Sequence, residues 1–328
     1  MLITFVLLIL GLYILIKGSD LLVDGASAVA KKLNVAPMII GLTIIAFGTS
    51  APELLVSIVS STQGANDLAL GNIFGSNIAN FLLILGVTAT ISPINIPHNT
   101  IWKEIPFTLL GAVVVTVLGI REQIDDLNLN SINLNSTDTI NTIGISSGLI
   151  LLLFFVIFMY YTFSISKDNS KDEPEIKLMP ITQSITYIVL GLTFLASGSY
   201  LLVNNAVNIA NQLGLAQGFI GLTIVALGTS LPELVTSIAA ARKGQSELAV
   251  GNVVGSNILN IFFILGVTSL INPIPITGQN LADILTLLAV TVFMFILIFI
   301  FTARRVGKIE GYMMLGAYGF YLYYIFIR

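Results

Sequence analysis

The sequence has no cysteine and a single histidine, His98, in 328 residues. Disulfide bridges and thiolate metal sites are therefore excluded, and a zinc site, which usually draws on several histidine or cysteine ligands, is disfavoured. Charged residues are also scarce, at 9%, whereas soluble domains carry roughly 25%. Hydrophobic residues make up 55% of the chain, and the mean hydropathy is +0.96. The composition excludes an ordinary soluble domain, predicts an integral membrane protein and gives no indication of nucleic-acid binding.

Apolar runs of transmembrane length occur along the whole chain. A helix needs about 20 residues to cross the hydrocarbon core of a bilayer. The runs that meet this length cover approximately residues 2–31, 37–62, 67–90, 101–120, 143–163, 181–211, 216–241, 247–271, 280–302 and 309–327. We predict an all-α integral membrane protein with about ten transmembrane helices, the first and sixth long enough to be steeply tilted. No basic segment precedes the first run, so we expect a retained helix and not a cleaved signal peptide.

Two stretches of the chain resemble each other at a constant distance. Gly41–Ser60 reads GLTIIAFGTSAPELLVSIVS, and thirteen of its twenty residues recur 180 positions later in Gly221–Ala240. The same offset pairs Asn72 with Asn252, without a gap between. The chain is therefore predicted to consist of two homologous halves of about five helices each. Because an odd number of helices reverses direction, the second half should enter the membrane upside down, as in the inverted repeats of many secondary transporters.

A polar linker separates the two halves. We predict the first five-helix repeat at residues 1–163, the linker at 164–180 and the second, inverted repeat at 181–328. Basic residues concentrate in alternate loops, among them Lys31, Lys32, Lys103, Arg242, Lys243, Arg304, Arg305 and Lys308. By the positive-inside rule, both termini are expected to be extracellular and the linker cytoplasmic, in a multi-pass protein of the cell membrane.

The first helix carries three charged residues, Lys17, Asp20 and Asp24, at i, i+3 and i+7. The equivalent residues of the second half are uncharged, which argues against a shared role in gating. We expect an ion pair within the helix, or side chains that snorkel to the membrane surface.

The apolar run Gly41–Ser60 is interrupted in its middle by small, polar and acidic residues: Gly48, Thr49, Ser50, Pro52 and Glu53. An ionised carboxylate in hydrocarbon costs several kcal/mol unless it is compensated, and a proline removes a backbone donor. A buried acid contributes nothing to helix packing. We therefore interpret Glu53, and Glu233 in the second half, as cation ligands. A helix break near Gly48 and Gly228 would free carbonyl oxygens such as those of Ala46, Thr49, Ala226 and Thr229.

A second polar motif follows each interruption: GNIFGSNIAN at Gly71–Asn80 and GNVVGSNILN at Gly251–Asn260. In each motif a serine and an asparagine lie four residues apart on one helix face, namely Ser76 with Asn80 and Ser256 with Asn260. Their oxygens are suited to replace water around an ion, and we interpret the motif glycines mainly as positions of close helix packing. Oxygen ligands alone indicate a hard cation. Ca²⁺, which takes about 6 to 8 oxygens, fits two carboxylates with carbonyls, hydroxyls and amides, and Na⁺ suits the same oxygens.

The motifs GTSAPE with GNIFGSNIAN, and GTSLPE with GNVVGSNILN, resemble the alpha-repeats of sodium/calcium exchangers in the cation/Ca²⁺ exchanger superfamily. The resemblance covers essentially the whole chain, and the short linker is similar to that of prokaryotic members. It implies a secondary active antiporter that exchanges Na⁺ for Ca²⁺ by alternating access, and one that is electrogenic. It implies Ca²⁺, Na⁺ and the lipid bilayer as partners, no cofactor and no obligate protein partner.

The resemblance also implies a set of metal ligands. They are Glu53 and Glu233 with the carbonyls of Thr49 and Thr229 for a central Ca²⁺; Ser50, Ser76 and Ala226 for an outer Na⁺; Ser230, Ser256 and Ala46 for an inner Na⁺; and Asn80 and Asn260 beside the middle. Some relatives, including K⁺-dependent exchangers, carry an aspartate in place of Asn260. The neutral side chain here implies exchange that does not need K⁺.

Three other functions stay open on the sequence. An H⁺/Ca²⁺ antiporter of the same superfamily usually carries a different acidic motif, and a pH gradient would drive its Ca²⁺ uptake without Na⁺. A Ca²⁺-permeable channel would need no counter-ion, whereas inverted halves around a buried site favour a carrier. An intramembrane hydrolase is disfavoured, since the chain has no HExxH motif, no GxGD-type motif and no cysteine. We therefore predict a transporter and not an enzyme.

Overall fold

A computed structural model describes residues 2–96, 100–125, 133–164, 179–212, 226–301 and 305–327. Most of the described residues are helical, and the helices follow the order of the predicted apolar runs. Several parts of the sequence discussed above lie outside the described residues: His98, residues 165–178 of the predicted linker, residues 216–225 of the predicted seventh run, and Arg304.

The first half contains helices, two short strands and several π-helical turns. The helices and strands are α1 (Leu2–Leu33), α2 (Pro37–Thr49), α3 (Ala51–Thr62), α4 (Asn66–Ile91), β1 (Ile94–Asn95), α5 (Ile105–Gly119), α6 (Arg121–Asp125), β2 (Thr139–Ile143) and α7 (Ile145–Ser164). The π-helical turns lie within α2 at Gly41–Ile45, within α4 at Asn80–Ile84 and before α5 at Thr100–Glu104.

The described residues of the second half repeat this order, except that they contain no counterpart of the short helix α6. Its elements are α8 (Ile181–Gln212), α9 (Ala226–Thr229), α10 (Leu231–Arg242), α11 (Ser246–Ile271), β3 (Ile274–Thr277), α12 (Gly278–Ile296), β4 (Arg305–Val306) and α13 (Lys308–Ile327). A π-helical turn at Leu259–Ile264 interrupts α11 where Asn80–Ile84 interrupts α4. The two long central helices thus share the same irregularity, as expected of repeated sequences.

Seven helices of the described residues are long and apolar enough to cross a membrane, or eight if the bent pair α2 and α3 forms one span. Two of the ten predicted spans are not among these eight. The run at 216–241 is described only from Ala226 onward, and α13 has 20 residues but is rich in tyrosine and glycine. The mostly helical, multi-pass architecture is confirmed, whereas the count of ten stays a prediction.

Two short antiparallel strand pairs tie the halves together, and the sequence analysis did not anticipate them. β1 pairs with β4, and β2 pairs with β3. Ile94 lies opposite Val306, and Ile143 lies opposite Ile274. All four side chains are buried, so apolar cross-strand contacts stabilise these pairs. Strands of this length are too short to leave a clear alternating pattern in the sequence.

The long helices α1 and α8 pack against each other in antiparallel directions. A Cβ atom added at Gly11 would lie 2.9 Å from the carbonyl oxygen of Gly198, and one added at Gly18 would lie 2.9 Å from that of Gly191. Only glycine permits this approach of two backbones. The apolar windows of α1 and α8 are 33% and 28% buried, against 78% for both α4 and α11. The pair α1 and α8 therefore lies at the periphery, and α4 and α11 form the centre.

Asp20 and Asp24 on α1 form ion pairs with Lys243, which directly follows α10. The Nζ of Lys243 lies 2.9 Å from Asp24 Oδ1 and 3.4 Å from Asp20 Oδ1, and it also donates to the Asp20 carbonyl at 3.0 Å. Lys17 points elsewhere, since its Nζ lies 5.8 Å from the centre of the Tyr13 ring. The predicted ion pair within the helix is wrong, because Lys243 of the other half reaches both acids at once.

Candidate cation site

Each half contains a helix break at a serine. Ser50 separates α2 from α3 with φ −84° and ψ 6°, and the two helix axes are bent by 45°. Ser230 separates α9 from α10 with nearly the same φ and ψ, −87° and 4°. Pro52 and Pro232 occupy the first turn of the new helix, where a missing N–H is not needed. In a continuous helix, each proline ring would collide with the carbonyl four residues earlier.

The glycines at which the break was expected have a packing role. An added Cβ at Gly48 or Gly228 would collide with a side chain of α8, that of Leu192 or Val203 respectively. The breaks lie two residues after these glycines, at Ser50 and Ser230. As a consequence the carbonyl of Ala46, predicted to be free, accepts the N–H of Ser50 at 2.9 Å.

The two predicted acidic ligands meet in the centre of the protein. Ser50 Oγ donates to Glu233 Oε1 at 2.9 Å, and Ser230 Oγ donates to Glu53 Oε1 at 3.2 Å. Each hydrogen bond thus joins a serine of one half to a glutamate of the other. Both glutamates are only 1% exposed. The structure therefore brings together the carboxylates that the sequence placed 180 residues apart.

Two asparagines support this centre, although the sequence analysis did not include them among the ligands. Asn72 Nδ2 donates to the Glu53 carbonyl at 3.1 Å, and its Oδ1 accepts from Thr229 Oγ1 at 3.2 Å. In the other half, Asn252 Nδ2 donates to the Glu233 carbonyl at 3.2 Å. Its Oδ1 accepts the Thr49 hydroxyl at 3.0 Å. Their pairing at the 180-residue offset was the available signal, but it was interpreted only as a mark of the repeat.

The motif serines join the same network. Ser76 Oγ lies 3.1 Å from Ser230 Oγ, within hydrogen-bond distance, and Ser256 Oγ approaches Glu233 Oε1 at 3.5 Å. Ala46 is fully buried beside the first break. Ala226 begins α9 directly before the second break, and its side chain is outside the described part of the structure.

Several buried oxygens of the predicted ligands have no hydrogen-bond partner among the described residues. They are Glu53 Oε2, Glu233 Oε2, Asn80 Oδ1 and Asn260 Oδ1. A buried acceptor without a partner costs about 1 to 3 kcal/mol, and a bound cation removes that cost. All four atoms belong to residues that the sequence predicted as ligands. No group of three or more acidic or imidazole ligands occurs in the described ranges, so two carboxylates supply the negative charge of the site.

The glycines of the two polar motifs differ in their surroundings. A Cβ added at Gly251 or Gly255 would lie within 3 Å of the backbone of α2, so close packing is confirmed there. No described atom lies within 4 Å of a Cβ added at Gly71 or Gly75. These two glycines instead line a cavity of about 290 Å³, whose wall also includes Asn72, Asp67 and Asp283.

A multi-pass helical protein with two repeated halves and a buried, oxygen-only site between them has the features of a membrane ion transporter. Residues 3–164 and 183–327 match the family described as sodium/calcium exchanger protein, and the chain belongs to this family.

Individual relatives resemble the chain over its full length. It is 34% identical to the sodium/calcium exchanger MaX1 of Methanosarcina acetivorans and 38% identical to the putative antiporter CaxA of Alkalimonas amylolytica, in each case over 99% of both chains. A solved structure of the sodium-calcium exchanger NCX_Mj superposes with a TM-score of 0.81 at 32% identity, covering 98% of this chain and 97% of that one. The relatives named here are exchangers or antiporters, which places the chain among transport proteins.

Proposed function

We propose that this protein exchanges Na⁺ for Ca²⁺ across the cell membrane by alternating access. The observation that carries the proposal is the crossed pair of hydrogen bonds, Ser50 to Glu233 and Ser230 to Glu53, which joins one carboxylate from each half in a buried centre. Two carboxylates balance the charge of one Ca²⁺. Family membership and the similarity to MaX1 and NCX_Mj support this choice of ions.

In this proposal Glu53 and Glu233 are the central Ca²⁺ ligands, together with the carbonyls of Thr49 and Thr229. The unpartnered Oε2 atoms of both glutamates are available to the ion. The hydroxyls of the two threonines already bind asparagine side chains, so both threonine side chains are fixed at the residues directly before the two breaks. An empty site leaves two carboxylates close together without compensation, which favours a change of exposure only when cations are bound.

Na⁺ binds on either side of the centre in the same proposal. The outer site uses Ser50, Ser76 and Ala226; the inner site uses Ser230, Ser256 and Ala46; and Asn80 and Asn260 lie beside the middle. Because serines of both sites touch the glutamates, Na⁺ and Ca²⁺ compete for the same carboxylates. Exchange of more than two Na⁺ for one Ca²⁺ moves net charge and is electrogenic. The neutral Asn260 supports exchange without K⁺.

We further propose ten transmembrane helices in two inverted halves, with α1 and α8 moving against the rest. Gly86 on α4 packs against Gly311 on α13, and the equivalent Gly266 on α11 packs against Gly148 on α7. Each half thus contacts the last helix of the other half in the same way. The distribution of basic residues supports extracellular termini and a cytoplasmic linker.

An H⁺/Ca²⁺ antiporter is the second candidate. The similarity to CaxA favours it as strongly as it favours Na⁺ exchange, because that name states antiport without naming an ion. Both functions use the same pair of glutamates, so only the driving ion separates them.

The test is Ca²⁺ uptake by purified protein in lipid vesicles under outward gradients of Na⁺, K⁺ or H⁺. We expect uptake with the Na⁺ gradient alone, and uptake that increases when the interior-negative potential produced by exchange is dissipated. Uptake driven by the H⁺ gradient and unaffected by Na⁺ would replace the proposal with its alternative. Equal uptake without any gradient of a counter-ion would indicate a channel.

A further inference from the structure

Asn80 is held by an asparagine of the other half. Its Nδ2 donates to the Oδ1 of Asn257 at 2.9 Å, across 177 positions of sequence. Both side chains are buried, with 1% and 0% exposure. A side-chain amide carries a donor at one end and an acceptor at the other, so this bond commits the donor end of Asn80 and turns its oxygen the other way.

The oxygen that is turned away has no hydrogen-bond partner in the described part of the chain. A cation would satisfy it as an acceptor. If the Asn80 amide rotated by half a turn, the NH₂ group would take the place of the oxygen, and its hydrogens would repel a cation. The bond to Asn257 therefore decides whether Asn80 attracts or repels the ion.

In the first half, the residue equivalent to Asn257 is Asn77, and its environment is different. Asn77 is also 0% exposed, but neither its Nδ2 nor its Oδ1 has a partner among the described residues. The GSN sequence is the same in both motifs, Ser76-Asn77 and Ser256-Asn257. Only the second copy makes the contact to a predicted ligand, so the chain provides a matched control for it.

We propose that Asn257 is a positioning residue, which keeps the oxygen of Asn80 directed at the cation without touching the cation itself. This inference depends on the role proposed above for Asn80. Asn257 would thus affect the affinity for the ion although it is not one of the predicted oxygen ligands.

A double-mutant cycle tests this role by calorimetric titration of the purified protein with Ca²⁺ in the absence of Na⁺. Asn257→Leu removes the acceptor and keeps the approximate volume, and we expect Ca²⁺ to bind about fivefold more weakly or worse. In an Asn80→Ala background the same substitution should change affinity less than about twofold, because the amide to be oriented is absent. Asn257→Asp retains the acceptor oxygen and should bind Ca²⁺ at least as tightly as the parent protein.

Asn77→Leu is the matched control and should weaken Ca²⁺ binding less than about twofold, because Asn77 holds no ligand in this structure. Equal losses from Asn257→Leu in both backgrounds, or an equal loss from Asn77→Leu, would overturn the inference. If the leucine variant does not fold, Asn257→Ser provides a smaller change. We expect it to weaken Ca²⁺ binding in the parent protein and not in the Asn80→Ala background. Binding of Ca²⁺ alone does not depend on the counter-ion, so a failure of Na⁺-driven uptake would refute the proposed exchange and leave this cycle readable.

Discussion

The contacts of the two halves match at the centre of the molecule but differ at its ends. At the centre, each serine of a helix break binds the glutamate of the other half, and Asn72 and Asn252 make matching contacts. At one end, Lys243 holds two aspartates of α1, whereas its equivalent is the uncharged Gln63. A cation that must be released to both sides of a membrane needs equivalent ligands from both halves. The ends face different solutions, and nothing requires them to match.

Removal of either central carboxylate should have the largest effect. Glu53→Gln and Glu233→Gln each keep the shape of the side chain but leave one negative charge to balance a divalent cation. We expect Na⁺-driven Ca²⁺ uptake in vesicles to be abolished in both variants, with little change in the melting temperature measured without Ca²⁺. Normal uptake in either variant would show that this glutamate is not needed for transport and that the two halves are not equivalent at the site.

The supporting asparagines sharpen the comparison. Asn72→Leu and Asn252→Leu each remove one hydrogen bond with a buried threonine hydroxyl and one with a glutamate carbonyl, at a cost of about 0.5 to 1.5 kcal/mol for each bond. Because the contacts match within 0.2 Å (3.1 and 3.2 Å to the carbonyl; 3.2 and 3.0 Å from the hydroxyl), the two variants should lose similar stability. Thermal unfolding in detergent measures this. A large loss in only one variant would show that the matching contacts are not energetically equivalent.

An added acid tests the middle of the site. Asn260→Asp introduces a third buried carboxylate at the position proposed to lie beside the middle, and Asn80→Asp places one at the equivalent position of the first half. Each should strengthen Ca²⁺ binding relative to Na⁺ at high pH and lose that gain as the pH falls, because the new carboxylate must be ionised to act. Competition between Na⁺ and Ca²⁺, measured at several pH values, gives the result. Unchanged selectivity and pH profile in Asn260→Asp would remove that residue from the middle of the site.

The two buried glutamates could be singled out from the sequence because buried acids and prolines have few structural reasons to occur inside an apolar helix. Glu53 and Glu233 stood out on that basis, and the structure joins them through Ser230 and Ser50. The contacts between halves could not be predicted in the same way. The 180-residue offset shows which residues are equivalent, but it does not show which atoms meet, so the partners of Asn72 and Asn257 appear only in three dimensions. The strand pairs were missed for a similar reason, since pairing partners are distant in sequence.

The ion pairs of Lys243 should have the smallest effect. Its side chain is 31% exposed and those of Asp20 and Asp24 are 43% and 49% exposed, so water and salt screen the attraction and the expected contribution is about 0.2 to 1 kcal/mol. Lys243→Met keeps the aliphatic length and removes the charge. We expect a slightly lower melting temperature at low ionic strength and no difference from the parent protein at high salt, where screening already weakens the pairs. Gln63→Met alters the equivalent position, which has no charge to lose, and should leave the salt dependence unchanged. An equal response of the two variants would show that the ion pairs of Lys243 do not contribute measurably to stability.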